Sequence, residues 1–483
     1  MVRPAAYGRC CALTDNLSED ENDLHIHRLL RENRQRITIP QVDEEQFLET
    51  CFPDSEPEPS SSSPPSGCPV YVMLPLDTVW VVDRDGKRTS VLKKERTLDI
   101  ALHTLKQAGV AGVMVDVWWG IVERDGPQKY DLSAYKSLFY KVGNAGLKAQ
   151  AVMSFHAAGG NVGDTCKILL PSWVLDVGET NPDIYFTDKT GHRNRECLSL
   201  GCAEEALFSG RTPVEMYHDF VAAFADKFQH LFGEHADPIG LLAQGGMYWG
   251  LSGPHDAGHY NSSSWETGFF VSQGGSWNTT YGHFFLEWYS GALARHVDRV
   301  LGSAARAMYQ HGRPRVLKAL TQATSGHIIY EFQPACHLGI KLAGVHWWFK
   351  SRAHAAELTA GYYNTRDRNG YEPLMLMLKK HSSRLSFTCV EMRDCEHPPE
   401  GRCSPQALLQ QVLDCAEQHG VPLAGENALQ RYDDYAFDRI AESAFGRNAR
   451  AGRLEQVTFL RMGDLMFDNW DAFSRFLSRM RSS

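Results

Sequence analysis

The stretch Leu423-Ala-Gly-Glu-Asn-Ala-Leu-Gln-Arg-Tyr-Asp433 decides the fold. A short apolar run, Val421 to Ala424, stops abruptly at Gly425, where the backbone can turn. Glu426 and Asn427 follow, and a helical pattern starts near Tyr432. A carboxylate and an amide at the exit of a buried strand match a capped strand-to-helix junction. The same grammar recurs along the chain, and the recurrence points to a site.

Working outward, the chain alternates strands and helices. Strands are expected at Pro69–Leu76, Gly112–Val117, Lys148–Phe155, Gly339–Val345, Leu385–Val390, Val421–Gly425 and Glu455–Leu460. Helices are expected at Lys93–Ala108, Leu132–Ala145, Pro213–Phe232, Tyr281–Tyr309, Tyr371–Ser382, Ser404–His419, Tyr432–Ala444 and Trp470–Met480. Continuous apolar strands between amphipathic helices describe a parallel sheet covered by helices. Eight such units close a (β/α)8 barrel of the TIM type. The fourth unit breaks the rhythm, because residues 233–253 hold only Ile239-Gly-Leu-Leu-Ala243 as a weak apolar run. The barrel is therefore expected to be missing or distorted there, either open or patched by that run or by His327–Phe332. Residues 319–337 read as an insertion interrupting the fifth strand.

Domain organisation follows composition. Residues 1–68 read as a poorly ordered extension whose Pro/Ser/acidic stretch, Pro53 to Gly67, cannot bury apolar surface. Residues 69–483 read as one barrel domain. The 483-residue chain has a formal net charge of −9, which argues against a nucleic-acid partner. No apolar run approaches the roughly 20 residues of a membrane span. The N-terminus lacks a signal pattern and is acidic early, so an intracellular protein is expected, cytoplasmic or plastid. Among the 12 cysteines there is no Cys-x-x-Cys pair. Cys389, Cys395 and Cys403, with His397 nearby, fit no strong zinc spacing, so neither metal nor cofactor is expected.

In such barrels the active site lies at the C-terminal ends of the strands. Polar residues at those exits are Asp116, His156, Lys341, His346, Thr388, Glu426, Asn427 and Arg461. Trp118, Trp119, Trp347, Trp348 and Phe349 accompany them. Carboxylates, amides and cations among aromatics suit a neutral, hydroxyl-rich ligand such as a sugar. Each residue alone is more often structural; the joint placement favours a site.

The chain resembles the β-amylases. The motifs are GVMVDVWWGIVE (112–123), MSFHAAGGNVGD (153–164), GVHWWFK (344–350), HAAELTAGYYN (354–364), FTCVEMRD (387–394) and AGENALQRYD (424–433). The resemblance implies an inverting hydrolase without metal or cofactor that releases maltose from non-reducing ends of α-1,4-glucans such as starch. It implies Glu426 as general base. It sets Asp116, His156 and Asp164 on the terminal glucose, Asp164 from a mobile lid at 159–166. Lys341 and His346 would bind inner sugars, and Thr388 would orient water or leaving sugar from a second moving loop. Asn427 and Ala428 would line the site, and Arg461 would bind sugar or hold the carboxylates. A monomer is expected.

One departure matters. The family's general acid is a Glu in a Gly-Glu-Leu-Arg-Tyr-Pro motif after the fourth strand, and this chain has no such motif. Gln430 also stands where the family has proline. Glu266 and Glu331 are the stand-ins, and no motif places either. Three readings follow: a glucan hydrolase, a non-catalytic glucan-binding or regulatory relative, or a chain that folds poorly. A lost exon with a retained intron would give the same pattern.

Overall fold

In the computed structural model, residues 67–159, 166–187, 193–231, 239–241, 254, 256–257, 264–311, 315–321, 328–333, 338–446 and 453–482 are described. Residues 1–66, Asp164 and most of the expected lid lie outside them.

Eight parallel strands close a ring in sequence order. They are β1 (Val70–Met73), β2 (Gly112–Trp118), β3 (Lys148–Ser154), β4 (Ile239–Leu241), β5 (Leu338–Leu342), β6 (Arg384–Phe387), β7 (Leu423–Glu426) and β8 (Gln456–Phe459). Each is followed by a major helix: α1 (Glu95–Ala108), α2 (Ser133–Asn144), α3 (Pro213–Phe228), α4 (Thr280–His311), α5 (Glu372–Lys380), α6 (Pro405–His419), α7 (Asp434–Phe445) and α8 (Trp470–Ser482). This is the (β/α)8 barrel that the alternation implied.

The irregular fourth place is filled by the first of the expected patches. β4 has only three residues, yet it pairs with both neighbours. Gly240 lies opposite Val152 of β3 and Gly339 of β5. A parallel ladder needs only main-chain donors and acceptors, so a glycine can serve in it. Residues 315–321 and 328–333 form an antiparallel two-stranded sheet of their own, outside the barrel ladder.

A second hairpin follows β1, pairing residues 79–84 with 87–92. The local signal for it was Asp85-Gly86, and both residues take positive φ (56° and 78°) in the two-residue turn.

Local chemistry explains the helix ends. Thr212 and Glu215 form a reciprocal capping box ahead of α3, with Pro213 opening the helix. The Asp433 side chain accepts from Ala436 N–H at the start of α7. α6 ends on Gly420 in the left-handed region.

Packing places the site. Met73, Met114 and Val152 form a small cluster with Leu460, separate from the main core. Asp116 and Ser154 lie two residues beyond Met114 and Val152, so they share the same strand faces nearer the exits. Outside the ring, Phe155 packs on Tyr217 of α3 with ring centroids 4.1 Å apart, and Phe139, Phe224 and Phe228 knit α2 to α3. Each such ring contributes about 1.5–3 kcal/mol on burial.

Candidate functional site

Glu426 is the last residue of β7, and it is 1% exposed. The Lys341 ammonium from β5 forms an ion pair with its Oε1. Its Oε2 accepts no hydrogen bond among the described residues. A buried carboxylate with one oxygen paired and the other unclaimed is equipped to take a proton from a water molecule or a hydroxyl.

Asp116 faces the same mouth from β2. Ser154 Oγ donates to its Oδ1 at 3.1 Å, while Oδ2 has no partner among the described residues. Burial pushes the Asp116 carboxyl above its usual range. Arg461 and Lys341 pull it back, Ser154 helps them, and Glu426 opposes them. Asp116, Glu426, Lys341 and Arg461 thus share one electrostatic environment. The Tyr135 hydroxyl donates to the Asp116 carbonyl and accepts from Trp118 N–H, both at 3.0 Å, which holds the strand exit.

His156 follows β3, half-buried, with its ring edge-on to Trp118 at 5.3 Å. His346 follows β5. Its Nδ1 donates to the Gly344 carbonyl at 3.0 Å, and burial pushes its pKa down to about 4. The ring is therefore neutral at pH 7, with its lone pair on Nε2. Thr388 Oγ1 accepts from Gly344 N–H at 2.8 Å, tying the exits of β5 and β6. Arg461 donates to the Leu74 carbonyl at 3.0 Å, bridging β8 to β1.

Asn427 is fully buried beside Glu426. Its amide donates to the Leu429 and Leu460 carbonyls and accepts from Leu460 N–H at 2.7 Å. The side chain is spent tying β7 to β8. Ala428 is exposed, and its N–H donates to Glu391 at 2.9 Å.

Sequence reading passed over Glu391 and Ser154. Glu391 Oε1 accepts from both Ala428 and Leu429 N–H, clamping the turn after Glu426. Burial pushes its pKa up to about 7. Its signal was a second carboxylate three residues beyond Thr388. Ser154 was visible as a polar residue closing an apolar strand.

Trp119 is fully buried, donates to Glu123 at 2.6 Å and packs against Phe155, Trp173 and Tyr217. Trp118 is 2% exposed and donates to the Leu76 carbonyl. Both rings are buried, whereas Trp347, Trp348 and Phe349 are half-buried. The HAAELTAGYYN segment contributes to a buried hydrogen-bond network. Buried Glu357 receives Tyr371 at 2.7 Å, His354 at 2.9 Å and the Asn364 amide at 3.1 Å.

The sequence profile of glycosyl hydrolase family 14 matches residues 71–241 and 232–483. The chain belongs to glycosyl hydrolase family 14, the β-amylase family. Chloroplastic β-amylase 1 of Oryza sativa subsp. japonica is 42% identical over 469 residues, covering 88% of this chain and 82% of that protein. The β-amylase of Vigna unguiculata is 38% identical, with 86% and 87% covered. Among solved structures, the β-amylase catalytic domain from Paenibacillus polymyxa superposes with a TM-score of 0.63 at 26% identity, covering 85% of this chain and 98% of that one.

Within this β-amylase-family chain, β4 now locates the departure. Residues 242–255, directly after β4, contain neither Asp nor Glu. Of the two stand-ins, Glu266 is an exposed residue of a short turn of helix, and the side chain of Glu331 lies outside the description.

Proposed function

We propose that residues 69–483 hold the non-reducing end of an α-1,4-glucan at the barrel mouth and hydrolyse it only very slowly. The observation that carries this reading is Glu426, buried at the exit of β7, paired through one oxygen and unclaimed at the other.

In this reading Asp116, His156 and Asp164 take the terminal glucose, and Lys341 and His346 take the inner sugars. Thr388 orients water or leaving sugar. Asn427 and Ala428 line the mouth, and Arg461 binds sugar or holds the carboxylates. Glu426 removes a proton from water as the water oxygen bonds to the anomeric carbon. The C–O bond on the opposite face breaks, so the configuration inverts. The departing oxygen needs a proton from an acid roughly 6.5–9.5 Å from the base. General acid catalysis is worth about 10²–10⁴ in rate. A sugar alkoxide leaves poorly, so its absence is felt near the upper end of that range.

The carboxylate-free run after β4 also favours a second reading, a glucan-binding or regulatory relative without turnover. Several relatives are named chloroplastic, which supports the plastid among the two compartments that the sequence leaves open. A monomer acting on starch or maltodextrin is proposed.

A substrate whose leaving group needs no proton separates the readings. With α-maltosyl fluoride, C–F cleavage expels fluoride directly while Glu426 takes the proton from water. Turnover of the fluoride to β-maltose, far above turnover of starch and abolished by Glu426→Gln, supports the slow hydrolase. Maltose binding without fluoride turnover selects the binding protein. Release of β-maltose from starch at an ordinary enzyme rate overturns the proposal.

A further inference from the structure

Two loops at the exits of β5 and β6 bring together three donors that lie far apart in sequence. The ligand atoms of His346, His397 and Cys403 all lie within 4.8 Å of one another. The two imidazole rings are 4.7 Å apart. His346 Nδ1 is committed to the Gly344 carbonyl, which can only accept, so the lone pair is on Nε2. His397 Nε2 is buried and has no hydrogen-bond partner among the described residues. Cys403 is 9% exposed, with its Sγ 3.5 Å from the Gly401 carbonyl and in hydrogen-bonding contact with the Trp348 backbone.

The backbone holds these donors in place. Trp348 N–H donates to Gly401 at 2.7 Å, Lys350 N–H to Arg402 at 3.0 Å, and Ser404 N–H to His346 at 3.1 Å. Asp394 lies close enough for its charge to act on all three donors, and Ser404 Oγ fixes it at 2.7 Å. The opposing charge is Lys350, whose half-exposed ammonium is 3.3 Å from Asp394.

We propose that His346, His397 and Cys403 form a binding site for a borderline-soft divalent ion of the zinc class. Two imidazoles and a thiolate are the donors that such ions select over hard cations. Metal–ligand bonds of about 2.0–2.3 Å put tetrahedral donors roughly 3.5 Å apart, within reach by small side-chain rotations. The Gly344 carbonyl is the outer partner that orients a ligating imidazole. Three protein donors leave a fourth position for water. Spacing alone hid the site, because Cys389 and Cys395 take no part. Cys395 is exposed against the Tyr435 hydroxyl, and the third donor comes from the loop after β5.

A consequence rests on the proposed function. If His346 contacts an inner sugar, the ion and the glucan contend for one imidazole, and the ion acts as an inhibitor.

The test uses the purified full chain, stripped with a chelator and titrated with Co²⁺ as a spectroscopic probe for Zn²⁺. One Co²⁺ per chain is expected, with thiolate-to-cobalt charge-transfer absorption. Both signals should be lost in Cys403→Ser and in His397→Gln, with circular dichroism verifying that each variant is folded. An absent thiolate band, or equal binding by wild type and both variants, overturns the site. In a separate arm, Zn²⁺ should weaken maltose binding by roughly fivefold, the worth of one hydrogen bond. Cys403→Ser should abolish that effect. A thiolate band without any change in maltose affinity keeps the site and overturns the competition, and with it the sugar contact of His346.

Discussion

Lys341 and Glu426 form an ion pair across the barrel mouth, from β5 to β7 with β6 between them. The lysine side chain is 20% exposed and the carboxylate 2%. Removing one partner of such a pair leaves an uncompensated buried charge, which typically costs about 3–5 kcal/mol. Solvent reaching the lysine lowers that to about 2 kcal/mol here. Lys341→Met should therefore destabilise the chain in urea unfolding, and adding Glu426→Gln should recover most of the loss. A double variant no more stable than Lys341→Met would show that the lysine acts through packing alone.

Asp116 combines burial with an oxygen that has no described partner. A sugar hydroxyl donating to that oxygen would satisfy a buried acceptor whose orphaning costs about 1–3 kcal/mol. Asp116→Asn should weaken maltose binding by about 10–100-fold. Its melting temperature should change little, since an amide oxygen still accepts from Ser154 Oγ. Unchanged maltose affinity in calorimetry would remove Asp116 from the ligand site.

Glu391 gives a pH dependence with a definite sign. Its carboxyl titrates at about 7 in the folded chain against an ordinary 4.5. Between those values the unfolded chain has released the proton and the folded chain still holds it. Stability therefore falls as pH rises from 4.5 to 7, by about 1.4 kcal/mol per pH unit at most, and is level above that window. Glu391→Gln keeps a carbonyl oxygen for Ala428 and Leu429 N–H and removes the titration. Its melting temperature should gain on wild type across that window. Parallel curves for the two proteins would refute the assignment.

The Glu357 network serves the fold. Tyr371→Phe deletes one donor to a fully buried carboxylate and should cost about 1–3 kcal/mol in stability. Maltose affinity should stay at the wild-type value. A variant with normal stability and weakened maltose binding would move this segment to the site.

Much of the molecule was legible along the chain. Apolar runs of strand length, helical periodicity and turn residues are local signals. They located seven strands, eight helices and the polar residues at the strand exits, including Glu426 and Asp116. The motifs located the family and exposed the missing acid, because a catalytic carboxylate leaves a gap in sequence when it is gone. Closure of the ring by Ile239–Leu241 was decided in space, since two main-chain rungs to β3 and three to β5 carry no side-chain pattern. Asn427 ties β7 to Leu460, 33 residues away, and a one-dimensional reading sees the amide but not the carbonyl it meets. Trp118 and Trp119 stand at a strand exit among candidate site residues, and only tertiary packing shows that both rings are buried. The meeting of His346, His397 and Cys403 depends on two loops pinned to each other by backbone hydrogen bonds. Local periodicity reports which face of an element is buried. Which partner meets that face is decided by long-range packing, and that packing assembles both the ion-paired Glu426 and the imidazole–thiol cluster.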